Sequence, residues 1–242
     1  MKTRKKGRPV AVDSNGASSR VRMILVAEKL FAEKGLDGVS LREIMLVARQ
    51  GNSNAIQYHF GSKEGLVLAI FGFRVTEMEG VRRRMLDGAG RSGRLTDIRT
   101  LFNILFRPYL DLVDDEGRHS YAAFMAAYLV RYRPLGMKHA GDTPEVYSHA
   151  LSETVQLIYK CAKGIPLKIS QNRLEIVNLM FFNVVCRWDN SLAESADRLP
   201  LEMLVDDVLN IISTAFLLPP PKSGRQRYPD SRLDAKRASA RD

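Results

Sequence analysis

The 242-residue sequence predicts an all-α protein, with two helical blocks between basic ends. Three observations carry this expectation. Apolar residues recur at spacings of three and four through most of the chain, and no strand-like alternation interrupts them. Helix punctuation (capping serines, glycine stops, proline starts) falls between these periodic runs. The charge is also unevenly placed. Of a net +10, residues 1–17 and 219–242 carry +4 each, which leaves residues 18–218 nearly neutral. Basic ends attract polyanions, nucleic acid first among them, although simple solvation is the plainer role for such segments.

The first helix is read from "SSRVRMILVAEKLFAEKG". Val21, Ile24, Ala27, Leu30 and Phe31 form its inner face, and Gly35 stands where a left-handed stop is wanted. Ser40-Leu41-Arg42-Glu43 is a capping box opening a second helix over about 41–49, with Leu41, Ile44, Val47 and Ala48 inward. Gly51-Asn52-Ser53 breaks it, and Asn52 or Ser53 can cap a third helix over about 54–60. Gly61 ends the third, and Ser62 caps a fourth that runs through Leu66, Ile70 and Phe73 to about Leu86. "DGAGRSG" at 87–93 reads as a loop.

Longer amphipathic segments follow at about 95–113, 118–132, 144–163, 168–190 and 200–217. Pro108 should kink or shorten the first of these. Arg133-Pro134-Leu135-Gly136 closes the second, and Thr143-Pro144 opens the third as a cap followed by a first-turn proline. Gly164 and Pro166 separate the third from the fourth. The expected organisation is a basic arm at 1–17, a first domain at 18–75, a second at 76–218 and a basic, disordered tail at 219–242.

The third helix is unusual on its outer face. At about 100° per residue, Asn54, Gln57 and Tyr58 share one arc, with Ile56 and Phe60 nearly opposite and His59 at their edge. That face carries amides and a phenol in place of charges. Asn and Gln can pair bidentately with adenine, and a phenol or lysine can hold a phosphate. A helix, a tight turn and a second helix with a polar face is the geometry of a major-groove reader. An ordinary surface helix of a small bundle is the alternative. The N–H groups that open the fourth helix, with Lys63 beside them, suit an anion.

In order, "LFAEKG", "VSLREI", "YHF" and "SKEGL" within residues 24–70 resemble the N-terminal domain of the tetracycline-repressor (TetR) family of bacterial transcription regulators. The resemblance covers about a fifth of the chain. "RQGNSN" departs from it by one residue of extra length, which leaves the start of the recognition helix open by a residue. The resemblance implies a helix-turn-helix formed by the second and third helices. In it Ser40 and Arg42 approach a phosphate, and Ser53, Asn54 and Gln57 meet the DNA near base edges. Tyr58 and Lys63 grip the backbone. His59 is assigned mainly to packing.

The same resemblance implies a helical ligand-binding and dimerisation domain, joined to the first through the fourth helix. Its dimer interface comes from about 168–190 and 200–217, and its pocket candidates are Phe102, Phe106, Phe124, Met125 and Tyr128. The default meaning of those aromatics is core. The expected effector is a hydrophobic or aromatic small molecule. "KKGRP" at 5–9 resembles minor-groove arms, with Arg8 as the inserted residue and nonspecific phosphate attraction as the alternative.

Catalysis finds little support. His119, His139 and His149 have no metal-ligand spacing, Cys161 and Cys186 lack a motif partner, and no glycine-rich phosphate loop follows a strand. No metal and no cofactor are expected. The apolar runs are too short for a membrane span, and two distant cysteines suit a reducing cytoplasm. The sequence therefore leads to a cytoplasmic, homodimeric, ligand-responsive repressor that binds a palindromic double-stranded operator. The main alternative is a helical binding or structural protein whose basic tails hold nucleic acid without sequence preference.

Overall fold

The computed structural model describes residues 19–50, 54–139, 149–191 and 199–220, and among these it is all helix and turn. Nine α-helices are described: α1 (Ser19–Lys34), α2 (Leu41–Val47), α3 (Ala55–Phe60), α4 (Lys63–Arg91), α5 (Ile98–Phe106), α6 (Ser120–Ala127), α7 (His149–Cys161), α8 (Leu167–Asp189) and α9 (Leu201–Phe216). The arm with Arg8, the Asn52 and Ser53 caps, the Thr143-Pro144 start and the residues from 221 onward lie outside the described residues.

At 29 residues α4 spans about 43 Å at 1.5 Å per residue, and it is the strut of the molecule. Its start packs on α1 and α3, and its later turns pack on α5 and α7. Helix α6 lies against α1 and α8, and α8 against α9. The first three helices are thus held to the remainder through α1 and α4 together.

The joint between them is polar and buried. Glu28 on α1 is 1% exposed and Arg74 on α4 is 6% exposed. Arg74 Nε and Nη2 donate to the two Glu28 oxygens at 2.6 and 2.7 Å, and Arg74 Nη1 donates to Glu77 at 2.8 Å. Ser120 Oγ, at the start of α6, donates to Glu28 Oε1 at 2.8 Å. Burial alone would push the Arg74 pKa down. The hydrogen bonds and charge of Glu28 more than offset it, so the pKa is raised. Around the joint Phe31 of α1, Phe71 of α4 and Phe124 of α6 form one ring cluster, with centroids 6.3 and 5.3 Å apart. At the rim Lys29 pairs with Asp115 and Glu116, and Arg118 pairs with Glu33.

Two boundaries and the orientation of one residue differ from the sequence expectation. Residues 87–91 continue α4 where a loop was expected, because Leu86 and Ala89 extend its buried face and packing overrides the low propensity of glycine. Gly93 then ends it at φ +67°. In α2 the buried arc is centred on Ile44 and Ala48, which turns Val47 outward (51% exposed) instead of inward. The segment expected at 118–132 is α6 followed by a π-helical turn, Tyr128–Tyr132, and a short 3-10 turn that Gly136 ends at φ +89°. At Arg107 the chain tightens into a 3-10 turn with Pro108 in its first positions, as a proline there requires.

Replacing Arg74 by Met strands the Glu28 carboxylate in the joint. The expected cost is about 3–5 kcal/mol, and the Glu28→Leu/Arg74→Met double variant should recover most of it. Urea unfolding of the three proteins decides this. A single variant as stable as the parent would show that the pair does not hold the joint.

Candidate nucleic-acid interface

Ser40 caps α2 by accepting the Glu43 N–H at 3.1 Å. The Glu43 carboxyl is held below its usual range, first by the Lys34 ammonium at 2.6 Å, against a little burial, and also by the Ser40 N–H. The Ser40 half of the capping box is therefore present as a hydrogen bond, while the Glu43 carboxylate pairs with Lys34. This leaves Ser40 and Arg42 exposed at the start of the helix.

Helix α2 ends in a Schellman turn, with Gln50 N–H on the Met45 carbonyl at 2.9 Å and Arg49 N–H on Leu46 at 3.1 Å. The residue that takes the left-handed position is Arg49, at φ +52°, where glycine would be unstrained. Ser19 Oγ donates to the Gln50 side chain, tying this turn to the start of α1.

Helix α3 begins at Ala55, with Asn54 at the cap position and without a side-chain cap bond. Ala55 and Ile56 are buried, His59 and Phe60 are half-buried, and Asn54, Gln57 and Tyr58 are exposed. Tyr58 is 82% exposed, which only a residue with an external partner or no role at all would be. Its ring meets His59 edge-on at 4.9 Å, and Arg20 of α1 lies 5.2 Å over the Phe60 ring. His59 therefore packs at the edge of the buried face.

The corner between α3 and α4 is fixed sterically. Gly61 sits at φ +74°, and Ser62 caps α4 through the Gly65 N–H at 3.1 Å. A Cβ on Gly65 would lie 1.9 Å from the Phe60 carbonyl oxygen, so no other residue fits this approach. Sequence reading had no signal for that role, since the glycine lies inside a helix. Lys63, assigned to the phosphate backbone, donates Nζ to the Val39 carbonyl at 2.6 Å and stands over the Phe31 ring. It pins the start of α4 to the start of α2, and an ammonium has two further protons for another acceptor. Ser40, Arg42 and Lys63 therefore cluster where α2 and α4 begin. Asn54, Gln57 and Tyr58 form a separate strip along α3. Ser53 and Arg8 lie outside the described residues.

The pocket candidates do not fall together. A cavity of about 670 Å³ opens between α6, its π-helical turn, α7 and α8, and Met125 and Tyr128 line it. Phe102, Phe106 and Phe124 do not. Phe102 packs edge-on against Phe216, Phe106 stacks on Phe181 at 4.5 Å, and Phe124 sits in the Phe31–Phe71 cluster. Sequence periodicity marks buried rings but cannot separate a cavity wall from a filled core. The cavity walls also carry Ser152, Gln156, Gln171, Asn172 and Asn178, which makes them more polar than expected.

A smaller pocket of about 240 Å³ holds Cys186 beside His119 and Asp189, themselves 2.8 Å apart. Burial pushes the Cys186 thiol up to about 11, so it is no thiolate nucleophile at neutral pH. No helix among the described residues is long and apolar enough to cross a membrane.

Comparison with known proteins agrees with the N-terminal geometry. Residues 24–70, from the second turn of α1 into α4, match the family model for bacterial regulatory proteins, tetR family. No curated protein matches. Among solved structures, a protein described as a TetR-family transcriptional regulator from Mesorhizobium loti MAFF303099 is similar at 15% identity and a TM-score of 0.44. The match covers 81% of this chain and 96% of that one. Residues 24–70 are thus similar to the tetR-family segment, and that family supports a DNA-binding transcriptional regulator.

Two backbone positions test the corner geometry. Gly65→Ala should destabilise the protein by about 1–3 kcal/mol through overpacking. Arg49→Gly should stabilise it by about 1 kcal/mol through relief of a left-handed side chain. Thermal unfolding measures both, and a harmless Gly65→Ala would contradict the close approach of α3 to α4.

Proposed function

We propose that the protein is a dimeric, sequence-specific transcriptional repressor, released from its operator by a small molecule bound in the larger cavity. The observation that supports this best is α3. It is a short helix on a sterically fixed corner that, with its cap residue, exposes two amides and a phenol while burying Ala55 and Ile56 and half-burying His59 and Phe60. Asn54 and Gln57 would meet base edges, Tyr58 and Lys63 the sugar-phosphate backbone, and Ser40 and Arg42 a neighbouring phosphate. Ser53 and Arg8 keep the roles that resemblance implies, the latter in an adjacent minor groove.

Dimerisation would use α8 and α9. Ile176 of α8, Met203 and Ile211 of α9, and Leu217 and Leu218 just beyond α9 are all exposed in a single chain. The chain then divides into a DNA-binding unit at 18–75 and an effector and dimer unit at 76–218, with basic ends adding nonspecific affinity for DNA. Cytoplasmic residence and a palindromic operator follow from this reading, and it has no catalytic step. In the effector unit Met125 and Tyr128 would touch the ligand. Phe102, Phe106 and Phe124 would support them from the packed core.

Binding to a matched set of duplexes, read by fluorescence anisotropy across a salt series, separates this from a tail-driven binder. Gln57→Ala should lose about 1–3 kcal/mol of discrimination at one base pair and leave nonspecific binding unchanged. Deleting 1–17 and 219–242 should weaken every duplex alike and flatten the log–log salt slope by about 0.9 per lost phosphate contact. If tail deletion removes sequence preference while Gln57→Ala keeps it, the basic ends are the DNA-binding element and α3 is a plain surface helix.

A further inference from the structure

Among the described residues, one buried cation has no ion-pair partner. Arg82, on α4, is completely buried. Its Nη2 donates to the Leu105 carbonyl at 3.3 Å and lies 3.3 Å from Met78 Sδ. Nε and Nη1 have no hydrogen-bond partner, and no carboxylate among the described residues forms an ion pair with it. Arg74, two turns earlier on the same helix, shows the usual solution, a bidentate carboxylate. Buried cations are ordinarily paired, and an unpaired one in a packed core calls for an explanation.

The phenols around Arg82 do not supply the missing charge. Its guanidinium carbon lies 5.5 Å from the centre of the Tyr109 ring, and Tyr109 stacks on Tyr121 at 5.6 Å. Burial raises the pKa of both hydroxyls, against the pull of Arg82, so both stay neutral at physiological pH.

The position of this charge points to a use. Leu105, which accepts from Arg82, and Tyr109, which covers it, both line the 670 Å³ cavity. The cation therefore stands one side chain behind the cavity wall, in a medium of low dielectric where its field is poorly screened. The lining also holds two cations, Arg133 and Lys168, and a single carboxylate, Glu175. Met125, Leu129, Leu151, Val155 and Leu174 supply apolar wall.

We propose that the effector of this cavity is an amphipathic organic anion. It would carry a carboxylate on a ring-sized or chain-like apolar body, with the acid held against the Leu105–Tyr109 wall in front of Arg82. This rests on the reading of the cavity as the effector site, and it narrows the expected hydrophobic or aromatic molecule to an acidic one.

Matched acid and amide pairs test it on the full-length protein by titration calorimetry: 1-naphthoate against 1-naphthamide, and decanoate against decanamide. Each acid should bind about tenfold or more tightly than its amide. Arg82→Met keeps the length of the side chain and removes the unpaired N–H groups, so it should fold at least as stably as the parent. In that variant the amides should bind as before and the preference for acids should vanish. Lys168→Gln, which changes an exposed cation of the lining, should keep the preference.

Equal binding of acid and amide by the parent protein overturns the proposal and leaves the effector reading standing. So does a preference that survives Arg82→Met but is lost in Lys168→Gln. If neither member of either pair binds, the effector reading of the cavity fails and the proposal fails with it.

Discussion

The ion pair between Glu28 and Arg74 is the constraint on which the arrangement of the two halves depends. A carboxylate and a guanidinium taken out of water lose several kcal/mol of hydration each, and only close, saturated geometry repays it. Here both Glu28 oxygens are engaged, by Arg74 at 2.6 and 2.7 Å and by Ser120 at 2.8 Å. Any sliding of α1 against α4 or α6 would break a bond in a site that water does not reach. An apolar contact of the same area would tolerate such sliding. The polar joint therefore contributes orientation more than stability, and α1 carries that orientation to α2 and α3.

Two routes connect the first three helices to the larger cavity. One is the aromatic cluster, in which Phe124 of α6 touches both Phe31 of α1 and Phe71 of α4, and Phe71 meets the cavity-lining Tyr128 at 4.8 Å. The other is the π-helical turn that follows α6. Tyr128, at its start, lines the cavity, while at its end the Tyr132 hydroxyl donates to Asp37 at 3.1 Å and Arg131 pairs with the same carboxylate at 3.0 Å. Asp37 lies in the turn leading to α2. Single π-helical turns interrupt a helix at some cost and recur at functional sites. In the proposed mechanism a ligand that displaces Tyr128 acts through this turn as well as through α4, and its influence equals its difference in affinity for the two arrangements.

The sequence was most legible where one local signal sufficed. Ser40 before α2, Ser62 before α4 and the strip of Asn54, Gln57 and Tyr58 each follow from residue type and helical spacing. They appear in the structure as read. Residues 87–91 misled because their glycines argue for a loop, while the buried face set by Leu86 and Ala89 is a tertiary fact. Val47 misled because three of its neighbours define an arc that one residue narrows. Gly65, the missing partner of Arg82, and the split of the aromatic residues between cavity and core all depend on what lies opposite in space. No spacing along the chain records that.

The central claim is that α3 reads DNA in a two-fold assembly, and the bound sequence itself tests it most directly. Purified full-length protein would be used to select from a random pool of duplexes, and the enriched sequences read after several rounds. One inverted repeat is expected, with half-sites spaced to suit two recognition helices on the same side of the duplex. A pool enriched only in general affinity, with no recurring half-site, would contradict it.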